Sequence, residues 1–227
     1  MKRTYFGRIL AAWMILAALM TLLTGCGKKS DEEQIVGQWS AQVDVSALVK
    51  ERVIDFDEAY EAADFDALTL SRRAVFNKDG TYTAAIAADG VTQLKTDIAQ
   101  RMAPVLKERV RNELAKDQKV SPQNITDEQL DGYVGMIGQG NWETMCLNYV
   151  EMMSVEELFA DDGFAGKYVL RDGRLYLSGA PDAEPGDGSW ITPYKVDDRT
   201  LTLENGKADI LPDFMGNAFP LTFTRLS

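Results

Sequence analysis

Two cysteines and the absence of histidine limit the side-chain chemistry that this chain can perform. Cys26 and Cys146 are the only cysteines among the 227 residues, and there is no histidine. The missing imidazole excludes Ser-His-Asp and Cys-His catalysis and every histidine-ligated metal site. A cysteine thiolate is the strong nucleophile that remains, and what it does depends on the surroundings of each cysteine.

The segment before Cys26 has the features of an export signal. Three basic residues and no acidic residue accompany an apolar run of 15 residues, Ile9 to Leu23, interrupted only by Thr21. The run is shorter than the roughly 20 residues that a membrane-spanning helix needs. It ends at Leu23-Thr24-Gly25-Cys26, which resembles the lipobox of bacterial lipoproteins. The resemblance implies cleavage between Gly25 and Cys26 and transfer of a diacylglyceryl group to the Cys26 thiol.

The lipoprotein interpretation divides the amino end into two parts. It predicts a signal peptide over residues 1–25 and a lipidated flexible tether over residues 26–34, which are small, polar and charged. A single acyl chain binds a membrane only marginally, so stable anchoring takes a second chain. A secretory signal without lipid and an uncleaved anchor helix are the alternatives. No aspartate follows Cys26 directly, which favours a Gram-positive membrane, with the domain on the extracytoplasmic face.

Charge excludes two classes of partner. The net charge of the chain is −11, and removal of residues 1–26 takes away three basic residues and no acidic ones, leaving about −14. That sign disfavours nucleic acid and peripheral adhesion of the folded domain to anionic lipid. About 200 mature residues suffice for one domain with a sizeable core.

The mature chain has a β opening, a helical middle and a β close. Residues 35–45 alternate as a strand, residues 46–64 predict a helix, and residues 68–87 predict a hairpin that turns at Lys78-Asp79-Gly80. Two further hairpins, 166–178 and 190–204, and a strand over 220–226 predict the β close. Their turns lie at Asp172-Gly173 and Asp197-Asp198.

The helical middle has the clearest period in the chain. Apolar residues recur every four positions at Leu94, Ile98, Met102, Leu106, Val110 and Leu114. Pro104 inside this run predicts a kink near Ala103 or a junction of two helices. Thr126 with Gln129, and Ser154 with Glu157, have the spacing of capping boxes. Cys146 lies in an apolar helical context, which predicts a buried structural cysteine, with a reactive thiol as the alternative.

The strand motifs resemble small lipocalin-like bacterial lipoproteins. The resemblance depends on Ile35-x-Gly37-x-Trp39, the Asp79-Gly80-Thr81-Tyr82 turn, the final hairpin and Leu221-x-Phe223-x-Arg225. It implies an α+β fold with an antiparallel β meander, a barrel or half-barrel, in a single domain over 35–227. It also implies that Trp39 and Arg225 are neighbours that close the barrel by cation–π contact. The helical segment of about 91–160 would be an insertion between the N- and C-terminal strands.

Other candidate sites have simpler explanations. The acidic residues between Asp55 and Asp66 suggest calcium, but the spacing of an EF-hand is missing and a solvated helix face explains them better. Methionines in the helical middle suggest either an adaptable binding surface or core filling. No pair of carboxylates stands out as catalytic. We therefore expect no catalytic residue, no metal and no cofactor.

Three functions follow as hypotheses. The first is an anchored, non-catalytic binding module for a small apolar ligand or an envelope component. The second is an interaction or structural lipoprotein that docks an envelope protein through its helical segment, which predicts a filled barrel and an exposed apolar patch on the helices. The third is a carboxylate-based hydrolase, which would need two carboxylates at catalytic separation in one pocket.

The anchor prediction can be tested in cells by metabolic labelling with a fatty-acid analogue. The wild type should carry the label, because the Cys26 thiol is the acceptor. Cys26→Ser should lose the label and accumulate the uncleaved precursor. Labelling of Cys26→Ser at the wild-type level would contradict the lipobox interpretation.

Overall fold

A computed structural model describes residues 29–160, 163–186, 189–204 and 219–227, and the Leu23–Cys26 motif lies outside them. Eight strands form a closed barrel in chain order, and each strand is antiparallel to its neighbours. The fold is therefore α+β, and its sheet is a full barrel rather than a half-barrel. The strands are β1 (Gly37–Asp44), β2 (Thr69–Phe76), β3 (Thr81–Ile86), β4 (Phe164–Arg171), β5 (Arg174–Leu177), β6 (Trp190–Val196), β7 (Thr200–Leu203) and β8 (Leu221–Arg225).

Most of the helical structure lies between β3 and β4 in the chain. The helices are α1 (Asp31–Ile35), α2 (Ser46–Phe56), α3 (Ala88–Gln118), α4 (Asp127–Met136) and α5 (Trp142–Met152). Short 3₁₀ segments cover Glu58–Ala62, Pro122–Asn124 and Val155–Phe159. Within the described part of the chain, no helix is both long and apolar enough to cross a membrane.

The two ends of the barrel differ in their connections. One end, which we call the base, carries the short turns 77–80, 172–173 and 197–199. The opposite end, the mouth, carries the long connections that leave β1, β3, β5 and β7. The residues of the β4–β5 turn explain why that connection at the base can be so short. Asp172 and Gly173 both have positive φ, as a two-residue hairpin turn requires.

The strand pattern explains what fills the barrel. Trp39, Ala41 and Val43 are buried on β1 and alternate with more exposed residues, as the sequence predicted. All eight strands contribute inward side chains, so the barrel interior is part of the hydrophobic core.

Strands β1 and β8 meet at the two residues that the family resemblance placed together. Trp39 pairs with Arg225 across the strands, and the Arg225 guanidinium carbon lies 4.1 Å from the Trp39 ring centroid. Arg225 also donates hydrogen bonds to the backbone oxygens of Gln34, Val36 and Asp198. The Trp39 indole donates to the Ile35 oxygen at 2.7 Å. This network links the first strand, β1, and the last strand, β8, to α1.

The predicted tether extends too far along the chain. Residues 31–35 form α1, whose Ser30 and Glu33 make a capping box, and Gln34 and Ile35 are buried. The polar composition suggested a flexible segment, but the capping box and the burial of Ile35 order it. The folded domain therefore begins by Ser30, several residues before the predicted boundary at 35.

Three predictions about the helices need correction. The helix predicted over 46–64 ends at Phe56, because the Asp57 side chain accepts the Ala59 amide and starts a 3₁₀ segment. Helix α3 runs unbroken through Pro104, so there is no junction of two helices there. Ser154 has a left-handed backbone and makes no capping hydrogen bond, whereas the Thr126–Gln129 capping box is present.

The Arg225 network should be a measurable part of the stability. Arg225→Ala removes a cation–π contact and charged hydrogen bonds, and we expect a loss of about 2–3 kcal/mol in the free energy of unfolding. Urea denaturation of the mature chain without lipid measures it. Thr224→Ala, an exposed change at the next position of β8, is the control. Equal stabilities of the two variants would contradict the role of the network.

Candidate functional site

The barrel encloses very little empty space. The cavity near its mouth has a volume of about 30 Å³, which is close to the share of one water molecule in the liquid. Ligand pockets for small organic molecules have volumes of about 300–1,000 Å³. The cavity is lined by Arg72, Ala74, Phe76, Tyr82, Ala84, Phe164, Leu177, Trp190, Leu203, Leu221 and Phe223. The interior is thus packed with aromatic and aliphatic side chains.

Three polar groups face this small cavity. Arg72 is buried, and its guanidinium carbon lies 5.5 Å from the Phe164 ring centroid. The Tyr82 hydroxyl donates to the Ser178 oxygen at 2.8 Å, and burial raises the pKa of Tyr82 to about 12. The Trp190 indole nitrogen is buried and has no hydrogen-bond acceptor among the residues that the structure describes.

A much larger depression lies on the helices, and we call it the helical groove. It has a volume of about 570 Å³ and lies among α2, α3, α4, α5 and the 3₁₀ segment that follows α2. Its lining residues are Phe56, Asp57, Tyr60, Leu106, Arg109, Val110, Glu113, Leu114, Asp117, Tyr133, Met145 and Tyr149.

The apolar stripe of α3 forms the floor of the helical groove. The first part of the stripe, Leu94, Ile98 and Met102, is completely buried in the core. Val110 and Leu114 continue the same stripe but are only partly buried. The walls come from other elements, since the Phe56 and Tyr149 rings lie 6.2 Å apart at their centroids. The helical groove is therefore a continuation of the core that the protein leaves open to solvent.

Exposed apolar side chains extend the edges of the helical groove. Met136 is 82% exposed and Met152 is 69% exposed, although both are large apolar residues. Each lies three residues after a tyrosine of the helical groove, Tyr133 or Tyr149, and so on the same side of its helix. Methionine is flexible and adapts to differently shaped partners.

Only some of the charged side chains in the helical groove form ion pairs. Arg109 pairs with Asp57 at 2.5 Å, and the hydrogen bond from the Ala59 amide, together with this pairing, lowers the pKa of Asp57. Glu113 and Asp117 line the same groove and form no salt bridge within the described residues. In a second cleft beside the helical groove, the charges are paired. Lys107 forms ion pairs there with Asp127 and Asp131, and the Trp142 indole donates a hydrogen bond to Asp131.

The other residues singled out from the sequence do not form a site. Among the described residues, no three histidine, cysteine or acidic side chains could hold a metal ion, so the Asp55–Asp66 cluster gives no calcium site. Hydrogen bonds, chiefly from nearby Ser, Thr, Lys or backbone amide groups, lower the pKa of Asp44, Asp79, Glu156 and Asp197. A catalytic proton donor needs a raised carboxyl pKa instead.

The sequence hypothesis of docking through the helical segment did not identify which residues form the helical groove. The period of α3 was visible, but the residues that wall the groove lie up to 93 positions apart, at Phe56 and Tyr149. The one available signal was the length of the apolar stripe, which exceeds what a single packed neighbour covers.

Cys146 is free and completely buried, as the sequence predicted.

The Cys146 thiol should be unreactive in the folded protein. Burial raises its pKa from 9.0 to about 12, and the thiolate is the reactive form. In a mature chain that lacks Cys26, an aromatic disulfide reagent should modify no thiol at pH 8 until denaturant is added. Because the unfolded thiol ionises above pH 9 while the buried thiol does not, the free energy of unfolding should fall as the pH rises from 9 towards 12. Stoichiometric modification of the native protein would contradict the burial.

No protein-family model, no curated protein and no solved structure matches this chain.

Proposed function

We propose that this protein is a lipid-anchored, non-catalytic binding module that docks a protein of the cell envelope through the helical groove. The lipid on Cys26 would hold it on the extracytoplasmic face of the membrane. The observation that carries the proposal is that the apolar stripe of α3 continues from the buried core into a groove that is open to solvent. The barrel has about 30 Å³ of free volume, whereas the exposed helical groove has about 570 Å³.

The chemistry of the helical groove specifies its occupant. Its floor and walls are aliphatic and aromatic, which suits the apolar face of an amphipathic helix. Glu113 and Asp117 add negative charge, and neither forms a salt bridge with a cation of the described residues, while Arg109 interacts with Glu113 only at longer range. A partner that carries lysine or arginine beside its apolar anchors would supply those cations. The occupant is therefore a basic amphipathic segment of an envelope protein.

The fold that carries this groove is best interpreted as a lipocalin-like barrel with a helical insertion. The chain leaves β3 at Ile86 and re-enters the barrel at Phe164, and the helices of the groove floor lie between them. Addition of helices at this point leaves the meander intact. This arrangement would convert a ligand-carrying architecture into one that binds on its exterior.

A small apolar ligand in the barrel is the second candidate. It is favoured by the indole N–H of Trp190, which has no acceptor within the described ranges and could donate to a ligand acceptor at the mouth cavity. The cavity would have to expand several-fold to admit such a ligand. Native mass spectrometry of the soluble domain, purified without detergent, tests this candidate, and a clean mass without ligand would count against it.

Site-specific photocrosslinking tests the docking proposal. A photoreactive residue at Val110 should crosslink a partner in cells, because this residue lies on the groove floor. Glu113→Lys with Asp117→Lys should reduce that crosslink several-fold, since the substitutions repel a basic segment. Asp66→Lys with Asp182→Lys makes the same charge change at exposed sites outside the groove and should leave it unchanged.

The identity of the crosslinked peptide decides the outcome. A basic amphipathic segment, mapped by mass spectrometry and lost in the groove variant only, would support the proposal. Capture of a protein with equal yield in both double variants would contradict it. Absence of any crosslink at Val110 would also contradict it.

A further inference from the structure

We infer that the base of the barrel is the surface that rests on the membrane, with the mouth and the helical groove directed away from it. The inference rests on the proposed lipid at Cys26. It adds which surface of the domain the lipid bilayer contacts.

The distance between the proposed lipid and the fold is short. Lys29 is the first described residue, and it follows Cys26 by three positions. An extended chain spans at most about 3.6 Å per residue, so this segment reaches no more than about 11 Å. Lys29 must therefore lie within about that distance of the lipidated cysteine.

Lys29 is held at the base. Its ammonium group lies 2.7 Å from the Asp198 carboxylate in the turn between β6 and β7. Its backbone oxygen accepts a hydrogen bond from the Gln34 side chain at 2.6 Å. The amino end of the fold is thus bonded to a turn of the base on one side and to α1 on the other.

Helix α1 cannot swing the amino end away from the base. The Tyr194 hydroxyl donates to the Asp31 carboxylate at 2.9 Å, and Ile35 is completely buried. Arg225 donates to the oxygens of Gln34 and Val36. Because the contacts that close the barrel also hold α1, the point of attachment has a fixed place on the domain.

The surface of the base suits the boundary between lipid headgroups and water. Val169 is 38% exposed and Leu226 is 39% exposed. A cleft of about 730 Å³ is lined by Lys29 and Lys78, by Glu32 and Glu33, and by the apolar side chains of Val36 and Val169. Long cationic side chains can lay their stems on apolar surface and keep their charges among the headgroups.

The surface of the base carries cations and acidic groups side by side, with Asp172 in the β4–β5 turn and Glu32 and Glu33 on α1. Arg171 and Arg174 flank the β4–β5 turn and form no salt bridge within the described residues, and the Arg171 guanidinium carbon lies 4.7 Å from the Tyr176 ring centroid. Several acidic groups of the base are engaged by the protein itself. Asp79 and Asp197 accept hydrogen bonds from their own turns, and Asp198 pairs with Lys29.

The helical groove belongs to the other end of the molecule. Strand β3 ends and strand β4 begins at the mouth, so the chain between them leaves and re-enters the barrel opposite the base. The orientation therefore leaves the groove open to a partner while the base occupies the membrane surface.

Fluorescence quenching by headgroup spin-labelled lipids tests the orientation. The full chain is expressed with its own signal, and the lipidated protein is purified and placed in liposomes. Lys78→Cys labels the base, and Lys116→Cys, the same change near the end of α3, is the matched control. Both residues are exposed, whereas the native Cys146 is buried and should not take the label. We expect the Lys78→Cys label to be quenched several-fold more than the Lys116→Cys label.

A longer tether provides a second control. Insertion of about 20 Gly and Ser residues between Lys28 and Lys29 gives the segment an end-to-end distance of about 25 Å. The difference in quenching between the two labels should then shrink. An unchanged difference would overturn the role of the short tether.

The outcomes separate this inference from the anchor proposal. Equal quenching of both labels in lipidated protein would overturn the orientation and leave the anchor intact. Stronger quenching of the Lys116→Cys label would do the same. Protein recovered without lipid on Cys26 would overturn the anchor, and the orientation would fall with it.

Discussion

The stacking of Arg225 on Trp39 is the contact on which the rest of the structure depends. It lies where the last strand returns to the first, so it marks the closure of the barrel. The same guanidinium binds backbone oxygens of Gln34 and Val36, just before β1, and of Asp198 in a turn. One planar cation thus satisfies three carbonyl groups from two parts of the chain and holds α1 at the base. The attachment point of the proposed lipid follows from this closure.

The filled barrel explains why the helices are the better candidate for binding. Large inward side chains such as Trp39, Phe76 and Phe223 leave only about 30 Å³ of free space. Apolar surface that the barrel does not need is available on α3, whose stripe continues past the buried core into the helical groove. Burial of that remaining surface against a partner would be favourable for the same reason that the core is. In the proposed function, the barrel would act as a rigid support and the helices would carry the recognition surface.

Local patterns predicted much of the fold because their signals are short in range. The alternation of Trp39, Ala41 and Val43 predicted β1, and Asp172-Gly173 predicted a hairpin turn. The errors occurred where distant contacts outweigh local preference. Residues 31–35 appear polar and flexible, yet the buried Ile35 beneath the Trp39 indole orders them. Pro104 predicts a break, yet the buried stripe on either side of it keeps α3 continuous.

The sequence by itself limits the side-chain chemistry, because it has no histidine. It also predicts a lipid anchor from the cysteine at the end of an apolar run, and a β meander from the period of its strands. None of these properties requires knowledge of distant contacts. The closed sheet, the size of the cavity and the walls of the helical groove depend on packing between segments far apart in the chain. Phe56 and Tyr149 become neighbours only after α2 and α5 pack together. Side-chain volumes in three dimensions therefore decide whether apolar space lies inside the barrel or on its exterior.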